Sequence, residues 1–295
     1  MINLGKDGLK MKSILDETFE SIKHKISLDK IKIESLYLSN YFNIIQLNNS
    51  SVGSCMNYFN FESKEDIIKT YKLLIKKHHS DPLLLRYLSN EKNQKDLLKL
   101  NLKACLVSAL SSNLLTRPSG FSINKNLDYS IFSNITSAVI IGFGGYMDSI
   151  IGGTSIKKVH ISDLGYDFQK SEMDGMISLY KKRFPDKIIS ISNGKDNKEK
   201  IQNTDLVSIT GSAFCNGTMD ELLYYSKNCK KIIIQGQSAS IYPEILFKNG
   251  VSLISTTIKP TNLLQVALNN FVEFKYLLEG NLPWIHITPK KIETF

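Results

Sequence analysis

Arginine is nearly missing from this chain. Only Arg86, Arg117 and Arg183 occur among 37 basic residues, so the formal charge of +9 is carried by lysine. Guanidinium forks are preferred where phosphates or guanines are gripped bidentately, and lysines scattered among asparagine and isoleucine do not make such a groove. We therefore expect no nucleic-acid partner. Cysteine is sparse too: Cys55, Cys105, Cys215 and Cys229 stand far apart with no C-x-x-C spacing, which argues against zinc knuckles and thioredoxin-like chemistry and for reduced thiols. Long apolar runs are absent. The longest, around Ala138 to Phe143, falls far short of the roughly 18 residues of a membrane span, and the N-terminal segment has no signal-like apolar core. The expectation is a soluble, cytoplasmic protein with no membrane partner.

What is present is ordinary globular composition, 42% hydrophobic and 22% charged over 295 residues, which suits two domains. Met11, Ile14, Leu15, Phe19 and Ile22 recur at helical spacing. Three β-rich stretches follow, Ile31 to Leu38, Phe42 to Leu47 and Ser51 to Phe59, split by Ser-Asn and Asn-Asn-Ser turns, and they predict a small antiparallel meander. Ser63 with Asp66, and Asp81 with Pro82, predict helix starts, and a longer helix spans about Gln94 to Leu115. This defines an α+β unit over residues 1–118, followed by a polar linker, 119–136.

From Ser137 the rhythm changes. Apolar runs at Ala138 to Ile141, Lys158 to Ile161, Lys187 to Ile191, Leu206 to Ile209, Lys231 to Ile234 and Val251 to Ile254 alternate with helix-length segments. Strands covered on both faces read as continuous apolar runs, so residues 137–295 are expected to form a Rossmann-like, doubly wound parallel sheet.

The candidate chemistry sits at the ends of these strands. Gly142, Gly144 and Gly145 follow the first, although Met147 stands where a third fingerprint glycine would fall. Asp163 lies 19 residues past Gly144, at the end of the second strand, where an acidic side chain takes ribose hydroxyls. The fourth strand runs into Thr210, Gly211 and Asn216-Gly217. No lysine follows these glycines as a P-loop requires, and Thr218 with Glu221 fits a capping box. The fifth strand leads to Gly236, Ser238 and Ser240, then to Pro243 in a first helical turn with Gly250 at the helix end. Three polar loops on one sheet edge point to a joint binding site. None of the five histidines forms a metal motif: His78 and His79 diverge on a helix, and His160 lies in a strand where the fold should satisfy it. Cys215 has no assignable base, Cys105 belongs in a helix core, and Cys55 is expected to face the gap between domains.

ITGSAFCNGTMDELL followed by IIIQGQSASIYPEILFKNGVSLIS resembles the paired segments of a family named for a proposed heavy-metal-chelation role, in which an enolase N-terminal-like domain precedes a Rossmann-like domain. SVGSCMNYF and NLKACLVSALSSNLL resemble its N-terminal strand and helix. The resemblance implies an interdomain site with Thr210, Asn216, Gly236, Ser238 and Ser240 on its Rossmann side. Gly142, Gly144, Gly145, Asp163, Thr210 and Gly211 are then expected to hold an adenosyl cofactor, foremost S-adenosylmethionine. Asn216, Gly236, Ser238, Ser240 and Cys55 would face a small-molecule substrate. Alkyl transfer or cyclisation in metallophore or amino-acid-derived metabolite formation is the leading expectation. A non-catalytic binder of a divalent heavy metal or its chelate, and an NAD-dependent oxidoreductase, stay open as alternatives; whether the chain is an enzyme, and whether it forms a homodimer, are also open.

Overall fold

The computed structural model describes residues 12–60, 62–78, 96–143, 147–152, 155–269 and 282–290. Helix α1 (Ile14–Lys23) begins at Ser13, whose side chain accepts the Asp16 amide, and its buried face carries Ile14, Leu15, Phe19 and Ile22. Strands β1 (Ile33–Tyr37), β2 (Phe42–Leu47) and β3 (Val52–Met56) form the expected antiparallel meander. Helix α2 (Lys64–His78) opens on Ser63, whose hydroxyl accepts the Asp66 amide at 3.1 Å, as the spacing of those residues predicts. The proposed start at Asp81-Pro82, and His79, lie outside the described residues.

Helix α3 (Leu97–Leu115), capped by Asp96, is buried nearly all round, its apolar residues interleaved with the buried polar side chains of Lys99, Asn101, Lys103, Ser108 and Ser111. It lies so close to β3 that a Cβ added at Gly53 would stand 2.2 Å from the Ala109 nitrogen and the Cys105 oxygen. A buried ion pair between Lys103 and Asp16 ties α3 to α1.

The large sheet has eight strands: β4 (Phe121–Asn124), β5 (Ser137–Ile141), β6 (Lys158–Ser162), β7 (Ile188–Ser192), β8 (Leu206–Thr210), β9 (Lys231–Gln235), β10 (Leu253–Thr257) and β11 (Trp284–Pro289). Their order is β4-β11-β10-β9-β8-β5-β6-β7. The six strands β5 to β10 are mutually parallel in a doubly wound, Rossmann-like order, whereas β11 and β4 run antiparallel at one edge. Between the strands lie α4 (Met147–Gly152), α5 (Lys170–Arg183), α6 (Asn197–Gln202), α7 (Ala213–Asn216), α8 (Met219–Tyr225), α9 (Glu244–Lys248) and α10 (Leu263–Asn269).

Consecutive residues of the central strands serve different cores. Val139, Ile141, Val207 and Ile209 join one apolar cluster, while Ala138, Ile140, Leu206 and Ile233 join another. Burial on both faces explains the unbroken apolar runs. The first cluster continues without interruption into α1, β2 and α3, so the N-terminal region and the large sheet share one core. The stretch 119–136, expected as a linker, holds β4 and a 3-10 turn at Tyr129–Phe132; a four-residue strand with one exposed end is too short to stand out by alternation. Among the described residues no helix is long and apolar enough to cross a membrane.

Candidate functional site

Strand order reverses between β5 and β8, and the carboxyl ends flanking such a switch point are where an open α/β sheet leaves room for a ligand. There β5 ends in Gly142 with φ +94°, and a Cβ at this position would also lie 2.8 Å from the Thr210 side chain, so both backbone and packing require glycine. Asp163, one residue past β6, closes the turn. Its Oδ2 accepts the Phe143 N–H at 2.6 Å and its Oδ1 accepts the Gly165 N–H at 2.6 Å. Gly144 and Gly145 lie outside the described residues. Thr210, at the end of β8, shares a hydroxyl hydrogen bond of 2.9 Å with Ser212. Asn216 ends α7, and its Oδ1 accepts both the amide (3.1 Å) and the hydroxyl (2.7 Å) of Thr218.

That last arrangement corrects the capping box expected from Thr218 and Glu221. Thr218 does not cap α8 with its side chain, because its hydroxyl is turned back to Asn216. Gly217 with φ +78° makes the intervening bend, as Asn-Gly chemistry suggests.

Across from this rim stands Tyr58, two residues beyond β3. Burial pushes its phenol above the ordinary range; hydrogen bonding with Ser212 and Asn216 works the other way, and the charge of Asp163 adds to the rise. The Tyr58 phenol, carried just past the small sheet, thus lies beside Ser212 and Asn216 of the loop after β8 and within the field of Asp163. Tyr58 and Ser212 were not singled out by sequence reasoning, although both lie within the quoted segments SVGSCMNYF and ITGSAFCNGTMDELL.

The remaining candidates gather a short distance along the same sheet edge, in a closed seam. Gly211 donates to the Gln235 carbonyl at 2.5 Å, and a Cβ there would stand 2.3 Å from the Ala239 nitrogen. Gly236, with φ +105°, turns the chain into a 3-10 segment. The Ser238 hydroxyl accepts the Met56 N–H at 3.0 Å, and Ser240 shares a 3.2 Å hydroxyl contact with Ser108 of α3. Both serines are buried. Asn101 fastens the seam three ways: its amide group donates to the carbonyls of Leu97 (2.7 Å) and Cys215 (2.8 Å), and its Oδ1 accepts the Tyr58 N–H at 2.7 Å. Lys259, just beyond β10, is buried and donates to Gln237 O at 2.9 Å and Thr257 Oγ1 at 2.8 Å; burial lowers its pKa to about 7.

Cys55 lies in this seam and not on the open rim, its thiol donating to the Asn101 carbonyl at 3.0 Å. Burial pushes its pKa well up, and that of Cys215 is pushed up first by hydrogen bonding with Cys55 and then by burial. A soft metal needs thiolates. Thiols held protonated, that of Cys55 already donating, do not fit a heavy-metal ion, and among the described residues no group of three or more His, Cys, Asp and Glu side chains is arranged to hold one. His160 is satisfied by Ser190 and Ser192, as its strand position suggests.

The fold and this rim define the class: an α/β protein whose Rossmann-like sheet is welded to a small antiparallel sheet at its carboxyl edge. Residues 178–271 match the model of the family DUF364, described as "Putative heavy-metal chelation", which bears out the resemblance read from the sequence. Two crystal structures of DUF364 proteins with unknown function share the architecture. One, from Pyrococcus horikoshii, is 14% identical with a TM-score of 0.60 over 94% of this chain and 100% of that one. The other, from Desulfitobacterium hafniense DCB-2, is 13% identical with a TM-score of 0.58 over 94% and 98%. At such identities the likeness concerns the fold alone. No curated protein matches. The matched stretch carries the loops after β8 and β9 but neither Gly142 nor Asp163.

Proposed function

We propose that the switch-point rim binds an adenosyl ligand, with S-adenosylmethionine first among them, and that the chain acts on a small molecule by alkyl transfer or cyclisation. The observation that carries this reading is Asp163: a carboxylate at the end of β6, hydrogen-bonded to the glycine turn after β5, with the Tyr58 hydroxyl facing the same rim. An ionised carboxylate has about four acceptor positions. The two amides occupy one on each oxygen, which leaves room for a ribose diol. Leu164, next in the chain and exposed, offers an apolar face for a flat base. Tyr58, Ser212 and Asn216 supply neutral donors and acceptors for the polar end of the ligand and for the substrate.

When bound, a sulfonium supplies an electrophilic carbon whose thioether leaves without a proton. The chain's residues then need only hold and orient, which suits a rim whose described residues include no paired acid and base. The family's chelation description favours a metal chelator or its precursor as the molecule handled, since the buried thiols do not suit the metal itself.

Thermal unfolding with S-adenosylmethionine, S-adenosylhomocysteine, 5′-methylthioadenosine, NAD and divalent metals tests the reading. A rise in Tm of about 4 °C or more is expected for the adenosyl thioethers and sulfonium at a hundredfold excess over Kd, and it should vanish in Asp163→Ala. No rise with any of these three compounds overturns the proposal, and a rise with NAD alone moves the chain to the oxidoreductase class.

A further inference from the structure

Helix α5 lies on the side of the large sheet away from the small one, beside β7, which is the last strand in the sheet order. Its inward face carries the buried Met173 and Ile177. One flank of the helix, about 100° round from that buried line, carries a second stripe, Glu172, Met176, Leu179 and Arg183, at the four-, three- and four-residue steps that align side chains along one line of a helix. All four are exposed; Leu179 keeps 66% of its surface in water and Met176 39%.

The order of residues along this stripe is self-complementary. The point midway between Met176 and Leu179 is also midway between Glu172 and Arg183. A two-fold axis through that point, perpendicular to the helix, would set each Glu172 against the Arg183 of a second copy and each Met176 against its Leu179. Two-fold homodimer interfaces require such a patch, in which one residue meets a second and the second meets the first. Among the described residues neither Glu172 nor Arg183 takes part in an ion pair within the chain. Gly175, on the flank of the stripe, has open space around it, so it presents no side chain to hold a second helix away. Acid in a first turn and base in a last turn complement the helix dipole by themselves, but the dipole gives no reason for methionine and leucine in water between them.

We propose that α5 is the homodimer interface of this protein, packed antiparallel against α5 of a second copy with Glu172–Arg183 pairs at both ends of a Met176–Leu179 centre. This surface is independent of the adenosyl reading, and either can fail without the other.

Sedimentation velocity of the full chain from about 1 to about 100 µM, the range of a modest homodimer, tests it. The wild-type chain should dimerise. Leu179→Glu should weaken association about tenfold or more, as should Arg183→Glu, which sets acid against Glu172 at both ends. The double variant Glu172→Arg with Arg183→Glu exchanges the charges and should recover an affinity within about threefold of wild type, a rescue that a general loss of solubility or fold would not give. The substituted side chains are exposed, so each variant should stay folded, its Tm at a dilution where every chain is monomeric falling by no more than the few degrees that lost dipole complementarity accounts for. A monomer throughout the concentration range overturns the proposal, as does a dimer indifferent to Leu179→Glu, or a double variant no better than Arg183→Glu alone.

Discussion

Two stretches of the same sheet edge invite comparison. The rim at β5, β6 and β8 and the seam at β9, β10 and α3 are both built from glycine, serine, threonine and asparagine at strand carboxyl ends. In the rim these side chains reach partly exposed ground around Asp163 and Tyr58. In the seam they are buried and their hydrogen bonds run to the small sheet and α3: Ser238 to Met56, Ser240 to Ser108, and the Tyr242 amide to Ser111 at 2.8 Å. Small polar residues are what close backbone approach demands, whether the approaching group is a ligand or another part of the protein. What tells the two apart is the partner, and the partner comes from residues far away in the chain.

The seam should therefore respond to mutation in stability and the rim in binding. Gly53→Ala is the most severe test, because the new methyl would meet the backbone of α3 and not a movable side-chain tip; a loss of about 3 kcal/mol or more, or failure to fold, is expected in urea titration. Next comes Asn101→Ala, which strands the Tyr58 amide and takes the side-chain donor from the Cys215 carbonyl; it should cost about 2–4 kcal/mol, read as a lower urea midpoint at unchanged slope.

Lys259 gives the seam a pH signature. Its folded pKa of about 7 lies below the ordinary 10.5, so between these values the unfolded chain binds the proton that the folded chain has released, and this group's contribution to stability rises with pH. Below pH 7 it is protonated in both states and contributes no slope. Cys55 and Cys215 act oppositely: their thiols stay protonated in the fold, so stability falls as unfolded thiols ionise around their ordinary value of 9.0. Urea midpoints between pH 7 and pH 8 should consequently rise more in wild type than in Lys259→Met, and equal slopes would refute the assignment.

The smallest pair of effects sharpens the contrast most. Ser238→Ala should cost about 1 kcal/mol and leave adenosyl affinity unchanged, whereas Tyr58→Phe should change stability by less than about 0.5 kcal/mol and weaken binding about three- to tenfold. If the two variants exchange these phenotypes in calorimetry and urea titration, rim and seam have been assigned the wrong way round.

This contrast also explains what was legible beforehand. The parallel strands could be read because burial on both faces leaves a continuous apolar run such as Val139 to Ile141, and α1 because its stripe and Ser13 cap are local patterns. Asp163 was legible from its distance to the glycine turn. By contrast β4 and β11 pair across more than 160 residues and carry no local mark of that pairing. Cys55, Ser238 and Ser240 were readable as polar or reactive residues near a domain boundary, but their burial depends on α3 and β3 closing over them. Tyr58 was hidden for the same reason: nothing beside it in the chain indicates that its hydroxyl crosses to Ser212.

The pairing of β4 with β11 also brings the two ends of the Rossmann-like segment side by side. Phe121 stands opposite Pro289, and the Lys290 amide donates to the Gly120 carbonyl at 3.3 Å. Everything from residue 120 to residue 290 is thereby a loop that leaves and returns at one spot, next to the last turn of α3. A tether of a few residues joining these two points would make the segment circular without displacing a strand, so new chain termini could be opened in a surface turn elsewhere while the order of the sheet is kept.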